Sequence, residues 1–216
     1  MPGKLTYFPL GARGECIRAV CFLGKLEYEN NIVTQEEFGA LKESGELPMG
    51  SLPIWQENDT TLCQSSAILR MLGIRLGFYT TDADTAWRID SLVDFMEDNY
   101  GSVIGTCIKP IFGSTIEADD KTKYLAYFDK VIPVLNARLE QHGKPWIAGT
   151  DNITIADLKV FQTFTLLVEL DQCPMDETTR MAAKEKCVAN PKLFEYLRNL
   201  RAYMEPWLAA RAPTPC

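Results

Sequence analysis

The secondary-structure signals change character once along the chain, near residue 80, and that change limits the folds open to it. Upstream, short strand and helix signals alternate. The segment "KLTYF" (4–8) mixes Thr and aromatics with apolar residues and reads as a strand; "GARG" (11–14) reads as a loop, and Glu15 to Leu23 as a helix. "YENNIV" (28–33) is a weaker strand, and "QEEFGALKE" (35–43) a short helix weakened by Gly39. "PIWQ" (53–56) and "TTLC" (60–63) flank the turn "ENDT" closely enough to pair as a hairpin, and a helix follows to about Leu76. A strand, helix and strand in succession imply a parallel pair with a right-handed crossover. The hairpin then adds an antiparallel strand, and the last helix covers one face.

That order, β-α-β-α-β-β-α, is a thioredoxin-like arrangement. Beyond the polar link "GFYTTDADT" (77–85) every long segment looks helical. Residues 82 to about 108 carry Ile89, Leu92, Val93, Met96, Val103, Ile104 and Ile108 at helical spacings. Residues 119–142 form another helix, in which Pro133 predicts a kink. "NITIADLKVFQTFTLL" (152–167) starts a third: Thr154 is a natural N-cap, Asp157 makes an Asp version of the capping box, and Ile153 and Leu158 stand as its hydrophobic staple. "NPKLFEYLRNL" (190–200) puts Asn at N-cap and Pro at N1. The expected fold class is α/β plus all-α: a thioredoxin-like N-terminal domain over 1–79, then an all-helical C-terminal domain over 83–216.

Composition narrows the function. The 216 residues are 46% hydrophobic and 24% charged, as in an ordinary well-cored protein. The net charge of -7, with Lys and Arg scattered, argues against nucleic acid as a partner. The seven cysteines (16, 21, 63, 107, 173, 187 and 216) include no Cys-x-x-Cys pair, and with one histidine a zinc site has little to draw on, so no metal is expected. Unpaired thiols, the lack of a signal-peptide core in "MPGKLTYFPLG" and the lack of an 18-residue apolar run point to a cytoplasmic protein with no membrane contact.

Three places combine polarity with a sheet edge. Tyr7 ends the first strand, where open α/β sheets gather ligands; its hydroxyl can donate to an anion, or its ring can sit in the core. Pro53 opens a strand, for which a trans bond is the ordinary expectation; a cis bond would turn the backbone of Leu52 outward to pair with an extended peptide. Gln64, Ser65 and Ser66 precede a helix, and either cap it or offer its free N–H groups and a hydroxyl to a carboxylate. Arg13 and Lys42 read as surface cations near these loops, Cys16 and Cys63 as buried inert thiols, and His142 as a complement to a helix dipole. With one histidine, neither a Ser-His-Asp nor a Cys-His mechanism is convincing.

Taken together, these stretches resemble a cytosolic glutathione S-transferase of the tyrosine-using kind, sigma-like or pi-like, over essentially the whole chain. "LTYFPLGARGECIRAV", "LPMGSLPIWQ", "TLCQSSAILRMLG" and "WIAGTDNITIADL" carry the resemblance, in order and at family spacing. It implies that Tyr7 is the catalytic tyrosine and that Leu52, beside a cis Pro53, offers its backbone to the cysteinyl part of glutathione. Gln64 and Ser65 would hold the γ-glutamyl group, with Arg13 and Lys42 near the glycyl carboxylate. Asp98, or Asp94 one turn earlier, would reach the γ-glutamyl amine in the neighbouring subunit of a homodimer. Phe8, Leu10, Ile104 and Ile108 would line the site for an apolar co-substrate. The chain departs from the family pattern where Phe38 replaces the usual Trp, Ser51 the usual Gln, and Met49 the aromatic key of several dimers.

The function implied is glutathione transfer to hydrophobic electrophiles in detoxification, with glutathione as co-substrate and no metal. A glutathione-dependent prostaglandin isomerase, or a non-catalytic binding or structural protein on the same scaffold, are the alternatives. The missing Cys-x-x-Cys argues against a disulfide reductase.

Overall fold

The computed structural model describes residues 2–170 and 172–215, so Cys216 of the thiol inventory lies outside the described residues. One sheet has the strand order β2-β1-β3-β4. Its strands are β1 (Gly3–Tyr7), β2 (Tyr28–Ile32), β3 (Ile54–Glu57) and β4 (Thr60–Cys63). β1 and β2 run parallel, with Leu5 opposite Asn30, and helix α1 (Ala12–Leu23) joins them. β3 is antiparallel to both β1 and β4. At the β3–β4 turn Asn58 and Asp59 take φ of 46° and 61°, the backbone of a tight hairpin that Asn and Asp tolerate well. Helix α2 (Gln35–Glu43) opens on a capping box: Glu37 N–H donates to the Thr34 hydroxyl at 3.2 Å, and Thr34 N–H to the Glu37 carboxylate at 2.7 Å. Helix α3 (Ser65–Leu76) follows the hairpin. This is the thioredoxin-like order expected from the sequence.

The "GARG" segment is not a loop, because α1 already begins at Ala12. Among the described residues no side chain caps it. Instead the N–H of its N-cap, Gly11, donates to the carbonyl of Pro215 at 2.7 Å, so the C-terminal tail folds back and closes the helix start.

The second half is helical: α4 (Ala83–Cys107), α5 (Ala118–His142), α6 (Ile155–Phe164), α7 (Glu177–Val188) and α8 (Pro191–Ala210). The expected helix over 152–167 is shorter as an α-helix; it ends at Phe164 and passes into a wide turn closed by Leu170 N–H onto the Thr165 carbonyl at 3.1 Å. The expected 190–200 helix runs ten residues further, through Pro206, because Met204 and Trp207 keep an apolar face buried. α5 likewise continues past Pro133. Helix α7 has no large apolar stripe, only buried Thr179, Arg180, Ala183 and Cys187, and hydrophobic periodicity does not reveal it.

Every residue of α6 is buried. Its start is organised by Asp157, which is fully buried and accepts from Ile147 N–H (2.9 Å), Thr154 N–H (2.8 Å), the Thr154 hydroxyl (3.0 Å) and the Tyr196 hydroxyl (2.8 Å). α3 approaches this end of α6 closely at Gly73, where a Cβ would lie 2.7 Å from Ile155 Cγ2. Ile155 N–H also donates to the Phe78 carbonyl at 3.0 Å. The sheet half and the helical half therefore share one hydrophobic core.

Candidate functional site

A cavity of about 480 Å³ lies between the start of α3, the segment before β3, and one face of α4. This size is usual for a small-molecule site. Its wall includes Ser51, Leu52 and Pro53, then Gln64, Ser65, Ser66 and Ala67 from the first turn of α3. The Leu52–Pro53 bond is cis, which corrects the ordinary expectation of a trans bond and agrees with the resemblance. The ladder between β1 and β3 begins only at Ile54, which leaves Leu52 outside the sheet at the cavity wall.

Among the described residues no side chain caps the start of α3. Gln64 stands at N-cap with φ 70° and makes no side-chain capping bond; its amide donates to the Met49 sulfur at 3.2 Å instead. A non-glycine residue at such a φ costs on the order of 1–3 kcal/mol, and such residues cluster at ligand clamps. The Ser66 hydroxyl is buried with no hydrogen-bond partner among the described residues. The two serines thus leave the helix end open rather than closing it, and the helix N-terminus with its unsatisfied N–H groups suits an anion.

The charged part of the wall is partly self-paired. Arg70 pairs with Asp90 at 2.5 Å and with Asp94. Arg13 Nε lies 2.5 Å from Glu97 Oε1, and Lys159 Nζ 2.7 Å from Glu97 Oε2. Arg13 is therefore a half-buried, ion-paired cation, not a free surface charge. Burial works against Glu97, but Lys159 and then Arg13 outweigh it and hold the carboxyl below its usual range. Asp98 is exposed and, among the described residues, enters no ion pair.

Tyr7 lies next to this wall. Its ring is 5% exposed, and Gly14 makes room for it: a Cβ there would sit 2.6 Å from Tyr7 Cδ1. Arg13, next to Gly14, turns its charge and backbone N–H toward the Tyr7 oxygen. Burial raises the phenol's pKa, and the charge and N–H of Arg13 only partly offset this, so the hydroxyl stays protonated at neutral pH and can act as a donor.

Residues 113–206 match the family model described as Glutathione S-transferase, C-terminal domain. The chain is 32% identical over 204 residues to Glutathione S-transferase P of Homo sapiens, covering 91% of each. The chain belongs to the glutathione S-transferase family. Glutathione S-transferase 1 of Ascaris suum is 28% identical over 217 residues, 98% of each chain. The crystal structure of the glutathione S-transferase from Ascaris lumbricoides superposes with a TM-score of 0.82 over 100% of both chains, at 23% identity, and shares the fold.

Within this glutathione S-transferase the cavity brings together Arg13, Ser51, Leu52, Pro53, Gln64, Ser65, Asp94 and Asp98. Tyr7 is not part of its wall, nor are Phe38 and Lys42. Phe38 packs edge-on against Phe8 at 5.3 Å, and Lys42 is exposed beside Gly50. Leu10 and Ile104 are buried in the core, with Phe8 and Ile108 packed against it; none of the four lines this cavity. Cys16 is buried as expected, donating to Gln162 Oε1 at 2.9 Å, with its thiol pushed up to about 12 by burial. Cys63 is half-buried, because it sits on the edge strand β4.

His142 stands in the last turn of α5, as expected, but carries little charge there. Burial first, then Arg88 and Arg138, lowers its pKa, so it is neutral at pH 7. Sequence reasoning missed Ala67, Arg70, Glu97 and Lys159. A lysine inside the apolar stretch "ADLKVFQTF" is the signal that marks Lys159, since a buried ammonium requires a partner. Among the described residues no group of three His, Cys, Asp or Glu side chains is placed to hold a metal, and no helix is long and apolar enough to cross a membrane.

Proposed function

We propose that the chain binds glutathione in the cavity at the start of α3 and that the Tyr7 hydroxyl activates the glutathione thiol for attack on a hydrophobic electrophile. The observation that carries this reading is the open end of α3: an uncapped helix start, Gln64 at φ 70° and the unpartnered Ser66 hydroxyl, all on a cavity wall. In this reading Gln64 and Ser65 receive the γ-glutamyl carboxylate and the backbone of Leu52 pairs with the cysteinyl unit. Arg13 and Lys42 attract the glycyl carboxylate. Phe38 supplies no indole N–H and Ser51 only a short side chain, so glutathione is held more weakly than in the usual family pattern. Asp98, exposed at the cavity, receives the γ-glutamyl amine across a homodimer interface. Phe8, Leu10, Ile104 and Ile108 offer the apolar surface for the co-substrate.

Residues 1–79 form the glutathione-binding unit in this account and 83–216 the unit that carries the co-substrate. The enzyme is tyrosine-type, sigma-like or pi-like. Cys16, Cys21, Cys63 and Cys187 form no disulfide among the described residues, which supports placement in the cytoplasm.

A thiol with pKa about 8.5 is ~3% thiolate at pH 7. A hydrogen bond to a charged acceptor contributes ~1.5–3 kcal/mol, which lowers the pKa by ~1–2 units and raises the thiolate to roughly 25–75%. A protonated Tyr7 hydroxyl donating to the sulfur is sufficient for this; the thiol proton passes to solvent and no histidine base is needed. The thiolate then displaces the leaving group of the electrophile.

The test is turnover with glutathione across a panel of electrophiles, chloronitroarenes and prostaglandin endoperoxide included. The expected result is conjugation that falls about tenfold or more in Tyr7→Phe. An unchanged rate removes Tyr7 from the mechanism. Glutathione binding with no turnover on any acceptor would leave a binding protein instead.

A further inference from the structure

The Arg13–Glu97 pair has a third member that the reaction as described does not use. Lys159 stands on α6, is 3% exposed, and holds Glu97 Oε2 at 2.7 Å while Arg13 holds Oε1 at 2.5 Å. Taking an ammonium out of water is unfavourable, and a methionine would fill the same space without that cost. The charge count gives Lys159 a use. Arg13 and Glu97 alone make a neutral pair at the cavity wall; with Lys159 the cluster carries one net positive charge.

We propose that Lys159 is a positioning residue for thiol activation: by taking up half of the Glu97 carboxylate it leaves Arg13 with net positive charge beside Tyr7, and through Glu97 it holds the Arg13 side chain in that place. This rests on the reading that Tyr7 activates glutathione.

From α1, Arg13 and Arg18 face Tyr7, and buried Glu15 is paired with Arg211 at 2.8 Å and lies 3.9 Å from Arg18; from α4, Glu97 faces both Tyr7 and Arg13, and Tyr100 faces Arg13. Cys16 on α1 faces Lys159, and Tyr127 on α5 faces Glu97; burial raises the pKa of both, so they are neutral at pH 7. Among the described residues Glu97 is the one anion paired with Lys159, at the junction of α1, α4 and α6.

The experiment measures the pH dependence of kcat at saturating glutathione, which titrates the bound species, in the wild type, Lys159→Gln, Lys159→Met, Lys159→Arg and Tyr7→Phe, with thermal melts alongside. Loss of a unit charge on the order of 10 Å away moves a titration by about 0.5–1 unit. Lys159→Gln and Lys159→Met are therefore expected to raise the midpoint by that much, and Lys159→Arg to restore it. A wild-type midpoint in folded Lys159→Gln overturns the proposal, whatever its melting temperature. Failure of both neutral variants to fold, with Lys159→Arg folded, also overturns it and assigns the lysine to stability. If Tyr7→Phe slows turnover while Lys159→Gln keeps the wild-type midpoint, only the role of Lys159 fails; if Tyr7→Phe is without effect, the Tyr7 reading fails.

Discussion

Replacing Asp157 by Asn tests how the helical half holds α6 in place. Each carboxylate oxygen accepts one backbone N–H and one hydroxyl: Oδ1 from Ile147 N–H and the Tyr196 hydroxyl, Oδ2 from Thr154 N–H and the Thr154 hydroxyl. An amide keeps only one oxygen, so either way one fixed N–H and one rotatable hydroxyl lose their acceptor. A buried donor left unpaired costs about 1–3 kcal/mol, and the hydroxyl recovers part of that by turning, which leaves a net loss of about 2–4 kcal/mol. For a chain of this length each kcal/mol moves the melting temperature by about 2–4 °C, so Asp157→Asn should melt about 5–15 °C lower. Thermal unfolding by far-UV circular dichroism at neutral pH reads this directly. A drop of less than about 2 °C would mean that the four bonds contribute little, and that α6 is held by its apolar contacts alone.

The site makes a separate prediction: Ser65→Ala should weaken glutathione binding by about 10- to 150-fold in calorimetry, the equivalent of one hydrogen bond to a charged group. Equal affinity counts against an anion at the start of α3. His142 gives a pH signature. Because burial lowers its folded pKa below the unfolded value of about 6.5, the folded state binds fewer protons, and stability falls as pH drops through about 6.5 toward the folded pKa. Denaturant midpoints at about pH 7.5 and 5.5 should differ more in the wild type than in His142→Gln; equal differences would refute the assignment.

Local chemistry made much of the fold legible. The hairpin shows in "ENDT" because Asn58 and Asp59 tolerate positive φ, and the start of α6 shows in Thr154 and Asp157 because that spacing meets one helical turn. What stayed hidden depended on distant partners. The start of α1 is closed by Pro215, some two hundred residues later in the chain, and no local pattern announces it. α7 buries small and polar residues, so its periodicity is faint. At the site, Gln64, Ser65 and Leu52 are visible as polarity or proline where a sheet ends. Glu97 reads as one more helix acid until α1 and α6 bring Arg13 and Lys159 to it. The same distance hides the environment of His142, which two arginines and burial set against the helix end it occupies.

The central claim, that the Tyr7 hydroxyl activates glutathione held at the start of α3, is tested most directly by titrating the thiol of bound glutathione through the ultraviolet absorbance of its thiolate. The account predicts a midpoint ~1–2 units below the free value of about 8.5 in the wild type, returning toward about 8.5 in Tyr7→Phe with glutathione still bound. The same midpoint in both proteins would contradict it.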